Sequence, residues 1–279
     1  MQDASFTELD ALSGAAAPVN EQAFTLEQAI ANLKTGDPGQ RYYASWWLGR
    51  FRVRTPEVID ALIEALADET DRTPDGGYPL RRNAARALGK LGELRAVPAL
   101  INCLSCSDFY VREAAAQSLG LLGDRTCVPS LLQFLAGGVD ASADSSRATE
   151  PYEAVIEALG ALGATEAIPL IQPFLEHPTE LIQYAAARAL YQLTQDAHYG
   201  SRLVAALSGN KLQLRRAVLA DLGAIGYLPA AEAIAQTLAE NSLKLMSLKG
   251  LLEHQVNKST STALSTDAIH IMDLMDSLL

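Results

Sequence analysis

Leu88-Gly-Lys-Leu-Gly92 and Leu119-Gly-Leu-Leu-Gly123 lie 31 residues apart, and each follows an arginine, Arg81 or Arg112, placed seven residues before its leucine. Leu159-Gly-Ala-Leu-Gly163 and Leu222-Gly-Ala-Ile-Gly226 repeat the pattern, with Tyr152 and Arg215 at the arginine position. Leu48-Gly-Arg-Phe51 with Arg41, and Leu190-Tyr-Gln-Leu193 with Gln183, are degenerate copies. From Leu48 onward the leading leucines are spaced by 40, 31, 40, 31 and 32 residues. A period of this length marks one supersecondary unit that stacks on copies of itself.

A second signal follows each copy. Thr55-Pro56, Val97-Pro98, Val128-Pro129, Ile168-Pro169 and Leu228-Pro229 place proline where a second helix begins, a position whose N–H has no helical partner in any case. Segments such as Val58–Leu66 then carry helical apolar spacing. Asp37 and Asp108 read as N-caps of first helices. The alanines 44, 84, 115 and 186 let helices approach closely, and the glycines end first helices or permit tight turns. Helix pairs of this kind cannot bury an apolar face alone, so they stack into one core. The reading is an all-α protein: a right-handed α-solenoid of HEAT-like, armadillo-type helix pairs.

The two 40-residue gaps are insertions, within 69–79 and 137–150, both between a second helix and the next first helix. Lengthened loops on one edge serve either binding or nothing. Asn241–Leu252 resembles a seventh first helix, with Lys244 at the arginine position. A polar link leads to an amphipathic end, Ala268–Leu279, with Ile271, Met272, Met275 and Leu278 on its apolar side. That end either caps the last repeat or docks on another subunit. The chain divides into a flexible segment over 1–20, one solenoid domain over 21–256, and a linker with a C-terminal helix over 257–279.

A net charge of −11 argues against general nucleic-acid binding. No apolar run is long enough to span a membrane, and the acidic N-terminus does not resemble a signal peptide, so a cytosolic protein is expected. Cys103, Cys106 and Cys127 read as buried or half-buried helical thiols rather than a disulfide or metal set. The four histidines are scattered, and no phosphate-binding glycine loop, nucleophile elbow or paired Cys–His is visible. No catalytic residue and no metal ligand is assigned. The arginine column reads as structural, pairing with acceptors of the preceding repeat.

One stretch departs from the repeat. Arg41-Tyr-Tyr-Ala-Ser-Trp-Trp-Leu-Gly-Arg-Phe-Arg-Val-Arg54 holds both tryptophans and four arginines, with no acid. Trp46 shares its register position with Arg86, Gln117, Glu157, Arg188 and Ala220; Tyr42 shares its own with Arg82, Glu113, Glu153, Tyr184 and Arg216. These positions are mainly polar, so both rings are expected to face away from the core. Tyr43 and Trp47 fall in columns of small residues and overfill them, while Ala44, Leu48 and Phe51 are expected to fill the core. A helix from about Thr25 to Lys34 is expected ahead of this repeat, and it offers a cap for the rings. The alternative is a binding patch of Tyr42, Tyr43, Trp46, Trp47, Arg50, Arg52 and Arg54, with the arginines available to ligand carboxylates.

The run over 41–53, the block Arg81–Gly92 and the segment Asn241–Leu252 resemble the E-type subunits of the heterodimeric bilin lyases acting on α-phycocyanin. The resemblance spans about residues 20 to 255, and the tyrosine–tryptophan run is its discriminating part. It implies a partnership with a homologous F-type subunit in a cyanobacterial cytosol or plastid stroma. It also implies attachment of phycocyanobilin, a tetrapyrrole with two propionates, to a cysteine of apo-α-phycocyanin through a thioether. The bilin is then a bound substrate, and no other cofactor is expected. The nucleophile belongs to the acceptor, and the lyase catalyses by positioning. In that picture Tyr42, Trp46 and Trp47 stack on pyrrole rings or on the partner, and Arg50, Arg52 and Arg54 meet propionates. Two alternatives stay open: the E-type subunit of a phycoerythrocyanin lyase-isomerase, and a non-enzymatic HEAT-like adaptor.

Overall fold

The computed structural model describes residues 24–138, 150–258 and 263–279. The segment expected over 1–20 and most of the second insertion lie outside the described residues. Within them every regular element is helical. α1 (Leu26–Thr35) leads into first helices α2 (Pro38–Arg50), α4 (Pro79–Leu91), α6 (Phe109–Leu122), α8 (Tyr152–Ala161), α10 (Glu180–Thr194), α12 (Leu212–Ile225) and α14 (Asn241–Lys258). The second helices between them are α3 (Pro56–Ala65), α5 (Val97–Cys103), α7 (Val128–Leu135), α9 (Ile168–Ile171), α11 (Ala197–Ala206) and α13 (Ala231–Gln236). The chain closes with α15 (Thr266–Asp276).

Local chemistry starts and stops these helices. Asp37 and Gln40 form a reciprocal capping box at α2, with Pro38 in the first turn. Thr25 and Gln28 do the same at α1, the helix expected ahead of the first repeat. Asp108 caps α6 through the Tyr110 amide. At the far ends, Gly92 (φ 68°) and Gly226 (φ 62°) adopt the left-handed conformation, and the amide one residue beyond bonds back to Leu88 or Leu222.

The other glycine of each pair has a different duty. It sits inside the first helix, against the next one: a Cβ on Gly49 would come within 2.8 Å of Ala87 Cα, and one on Gly120 within 2.9 Å of Ala158 Cα. The leading glycines are therefore contacts that bring stacked first helices together, and only the trailing ones end helices. This contact also explains why the column of Ala87, Ser118, Ala158 and Ala189 is small.

The arginine column is structural. Arg41 donates to the Leu33 carbonyl and to Asp68. Arg81 reaches the Asp68 and Ala67 carbonyls, and Arg112 those of Cys106 and Ser107. Lys244 reaches Ala235 in the same way. Each cation meets carbonyls left over where the preceding helix ends, where its charge also suits the dipole.

One core runs from Ala29 to Leu190 and a second from Ala187 to Ile271. They meet where Tyr191 occupies the leading-glycine position. Its ring packs edge-on against Tyr227, 5.1 Å away, so α10 and α12 do not approach as glycine-spaced pairs do. At the C-terminal end α15 buries Ala268 and Ile271, with Met275 and Leu278 packed alongside, while Met272 stays exposed. α15 thus covers the last helix pair, and the Leu278 carbonyl accepts from Asn241. Among the described residues no helix is long and apolar enough to cross a membrane.

Candidate functional site

Helix α2 buries one side completely: Ala44, Ser45 and Leu48 have no exposed surface. The remaining surface divides into two faces. Tyr42, Trp46 and Arg50, at successive i, i+4 positions, form a column along the outside of the stack. Tyr42 is 36% exposed and Trp46 43% exposed, as their polar register implied. Tyr43, Trp47 and Phe51 form the second face, which corresponds to the side where every later first helix packs on its predecessor.

That second face accounts for the overfilled columns. Trp47 stands where later repeats carry a small residue against the preceding glycine, but among the described residues α2 follows no other first helix. Phe24, at the entry to α1, takes that place, with its ring 5.3 Å from both Tyr43 and Trp47. The ring series continues from Tyr43 to Trp46 at 5.5 Å and from Trp47 to Phe51 at 5.1 Å. Phe51, expected in the core, is 61% exposed. Its counterparts Leu91 and Leu162 are buried within stacked repeats, whereas Phe51 lies at the end of the stack. Val53, packed against the core, follows it instead.

The three arginines part company. Arg52 occupies the trailing-glycine position in a left-handed conformation, φ 53°, and donates to the Lys90 carbonyl at 3.2 Å. Arg54 reaches the Gly92 carbonyl and, at 3.6 Å, Glu93. Burial opposes ionisation of Glu93, but bonds from Arg95 and the charge of Arg54 hold its carboxyl below the usual range. Arg52 and Arg54 therefore tie α2 to the end of α4. Arg50 is exposed and makes no polar contact among the described residues.

The same outer columns continue along α4 to α12. Arg86 lies 3.6 Å from Glu113, and Arg188 bridges Glu157 at 3.0 Å and Asp221 at 2.8 Å. Burial, then the charges of Glu157, Asp221 and Glu113, push Glu153 up to about 7. Burial also pushes Asp221 up to about 6, against the pull of Arg188.

Among the described residues no group of three His, Cys, Asp or Glu is placed to hold a metal ion. Cys106, the half-buried thiol, lies 3.9 Å from the Arg81 guanidinium. Cys103 is buried against the Leu66 carbonyl, and burial pushes both its thiol and that of Cys127 up to about 11, far from thiolate character at neutral pH. His177 is buried beside Tyr152 and Phe174, and burial pushes its imidazole down. Sequence reasoning missed Phe24; an apolar residue just before the Thr25 cap was the available signal. It also missed Arg82, although that residue shares the register of Tyr42.

The described residues form a helix-pair solenoid whose first repeat presents aromatic side chains outward, a surface suited to binding. The description "HEAT repeats" matches residues 72–150, and "PBS lyase HEAT-like repeat" matches 40–68 and 151–177. The chain is 66% identical over 268 residues to phycocyanobilin lyase subunit alpha of Microchaete diplosiphon, covering 93% of this chain and 91% of that one. The bilin biosynthesis protein PecE of Nostoc sp. is 46% identical over 241 residues, covering 86% and 91%. Among solved structures, the complex of CpcE and CpcF of phycocyanin lyase from Nostoc sp. PCC7120 contains a chain 61% identical to this one, with a TM-score of 0.84, covering 95% of this chain and 98% of that one. The chain belongs to the phycocyanobilin lyase alpha-subunit family.

Proposed function

We infer that this chain works with an F-type partner subunit to bind phycocyanobilin and present it to a cysteine of the phycocyanin alpha subunit, where a thioether forms. The observation that carries this reading is the exposure of Tyr42 and Trp46 at positions that later repeats fill mostly with charged or polar side chains. Aromatic faces held on a rigid helix offer a planar π-system a pre-ordered surface. Tyr43 and Trp47 support that surface from the side, together with Phe24. The nucleophile is the acceptor's cysteine, and this chain contributes by holding the bilin in one orientation. Arg50 is the member of its arginine group that remains available to a carboxylate. On this reading the reaction belongs to the cytosol of a cyanobacterium or the stroma of a plastid. The lower identity to the PecE relative favours phycocyanin over phycoerythrocyanin as acceptor.

The test is to mix the purified chain, alone and with its F-type partner, with phycocyanobilin and the apo-α subunit. The expected result is induced visible circular dichroism on binding, followed by a chromophore that stays on the acceptor after denaturation. An adaptor without lyase function gives neither signal.

A further inference from the structure

In a chain of net charge −11, a guanidinium without an acceptor is unusual. Among the described arginines, Arg50, Arg72 and Arg82 make no hydrogen bond or ion pair, whereas the others donate to a carbonyl or lie beside a carboxylate. Two of these three lie together, in the lengthened linker before α4 and on the first turn of α4 itself. Arg72 sits over the Tyr78 ring at 4.9 Å, and Arg82 over the Tyr110 ring at 5.7 Å. Arg82, but not Arg72, lines a cavity of about 380 Å³, together with Gly76, Gly77, Tyr78 and Tyr110 among others.

Of the two carboxylates that line this cavity, Asp108 is occupied by backbone amides. Asp108 accepts from the Tyr78 amide at 2.7 Å through one oxygen and from Tyr110 at 2.9 Å through the other. Asp75 also lines the cavity but is exposed. The Nε–H of Arg82 is buried and meets no acceptor. A planar guanidinium with a free edge is matched by a carboxylate, which accepts two parallel hydrogen bonds. The cavity also adjoins the aromatic column. Arg82 holds the register position of Tyr42 one repeat later, and Asn83 donates to the Tyr42 carbonyl at 3.3 Å.

We propose that Arg82 grips a propionate carboxylate of a bilin whose rings lie against Tyr42 and Trp46. This rests on the bilin-binding reading above and assigns the carboxylate contact to the second repeat. Arg52 and Arg54 are committed to α4 carbonyls, and Arg86 faces Glu113. The lengthened α3–α4 linker then has a role, because it brings Gly76 and Gly77 to the cavity.

The experiment compares phycocyanobilin with its dimethyl ester, titrated into the complex of the full chain with its F-type partner and followed by visible absorbance and circular dichroism. The intact complex is expected to bind the free acid about tenfold more tightly than the ester. Arg82→Gln is expected to lose that preference and leave ester binding unchanged, and Arg82→Lys to keep part of it. Equal binding of acid and ester by the unmodified complex overturns the assignment without any variant. So does an Arg82→Gln protein that still pairs with its partner and keeps its acid preference, or that weakens acid and ester alike. Failure of the unmodified complex to bind either form overturns the bilin-binding reading itself, and this assignment with it.

Discussion

The outer columns of the first helices are built in two ways. Over α8 to α12 they are paired with one another: Glu157 and Arg188 form an ion pair, Glu153 lies beside them, and Asp221 reaches Arg188 from the neighbouring column of small residues. Over α2 the same positions hold Tyr42, Trp46 and Arg50, which share no ion pair and present ring faces and a cation outward. The register is shared, so fold alone does not require aromatic residues there. The middle of the stack uses the columns for cohesion, and its first repeat leaves them open for recognition. Substitutions should therefore separate cleanly: in the middle they alter stability, at α2 they alter transfer.

The largest stability effect is expected at the bridge. Arg188→Met removes the cation shared by Glu157 and Asp221 and leaves two carboxylates facing each other. Breaking a buried pair on one side costs about 3–5 kcal/mol. Partial solvent access of all three groups lowers the expected loss to about 2 kcal/mol, read as a reduced urea midpoint. Transfer measured well below the melting temperature should not change.

Acidity gives the next effect. Glu153 carries a folded-state value of about 7 against an ordinary 4.5, so the folded protein holds a proton there that the unfolded chain has released. The stabilising effect of that proton is complete below about 4.5 and is lost as pH rises through about 7. Part of the Glu153 side chain reaches solvent although its carboxyl is crowded by Glu157, Asp221 and Glu113, so a loss of only about 1 kcal/mol is expected after screening. Glu153→Gln should flatten melting temperature against pH across that interval and stabilise the protein at pH 8. A parallel decline in the variant would place the titration elsewhere.

Smallest is the effect of Arg52→Gln. It deletes one exposed bond to the Lys90 carbonyl, for about 0.5 kcal/mol, and should leave bilin affinity intact. Arg52→Gly removes the same bond but relieves the left-handed backbone, so it should cost less. A large loss of bilin affinity in either variant would return Arg52 to the ligand site.

What the sequence made legible follows from what repeats in register. Helix starts at Asp37 and Asp108, the arginine column, and the outward faces of Tyr42 and Trp46 all depend on residues near in sequence or on comparison between copies. What escaped reading depended on neighbours between repeats. The core role expected of Phe51 holds only where a preceding first helix covers that position, and among the described residues the first repeat has none. The leading glycines looked like turn residues because the contact they permit, such as Gly49 on Ala87, crosses about a repeat length of chain. Asp221 sits in a small column, so its pairing with Arg188 was invisible until both helices were in place. The division of the core at Tyr191 has the same origin: one bulky residue at a glycine position alters an approach between helices.

The central contrast is tested most directly by Tyr42→Ala/Trp46→Ala, assayed beside Arg188→Met for both melting temperature and phycocyanobilin transfer with the F-type partner. Removing both exposed rings is predicted to lower transfer at least 30-fold, at about 1 kcal/mol for each ring or more, with melting temperature nearly unchanged. Arg188→Met is predicted to show the opposite pattern. A Tyr42→Ala/Trp46→Ala protein that transfers the bilin at full rate, with an unaltered chromophore spectrum, would contradict the account.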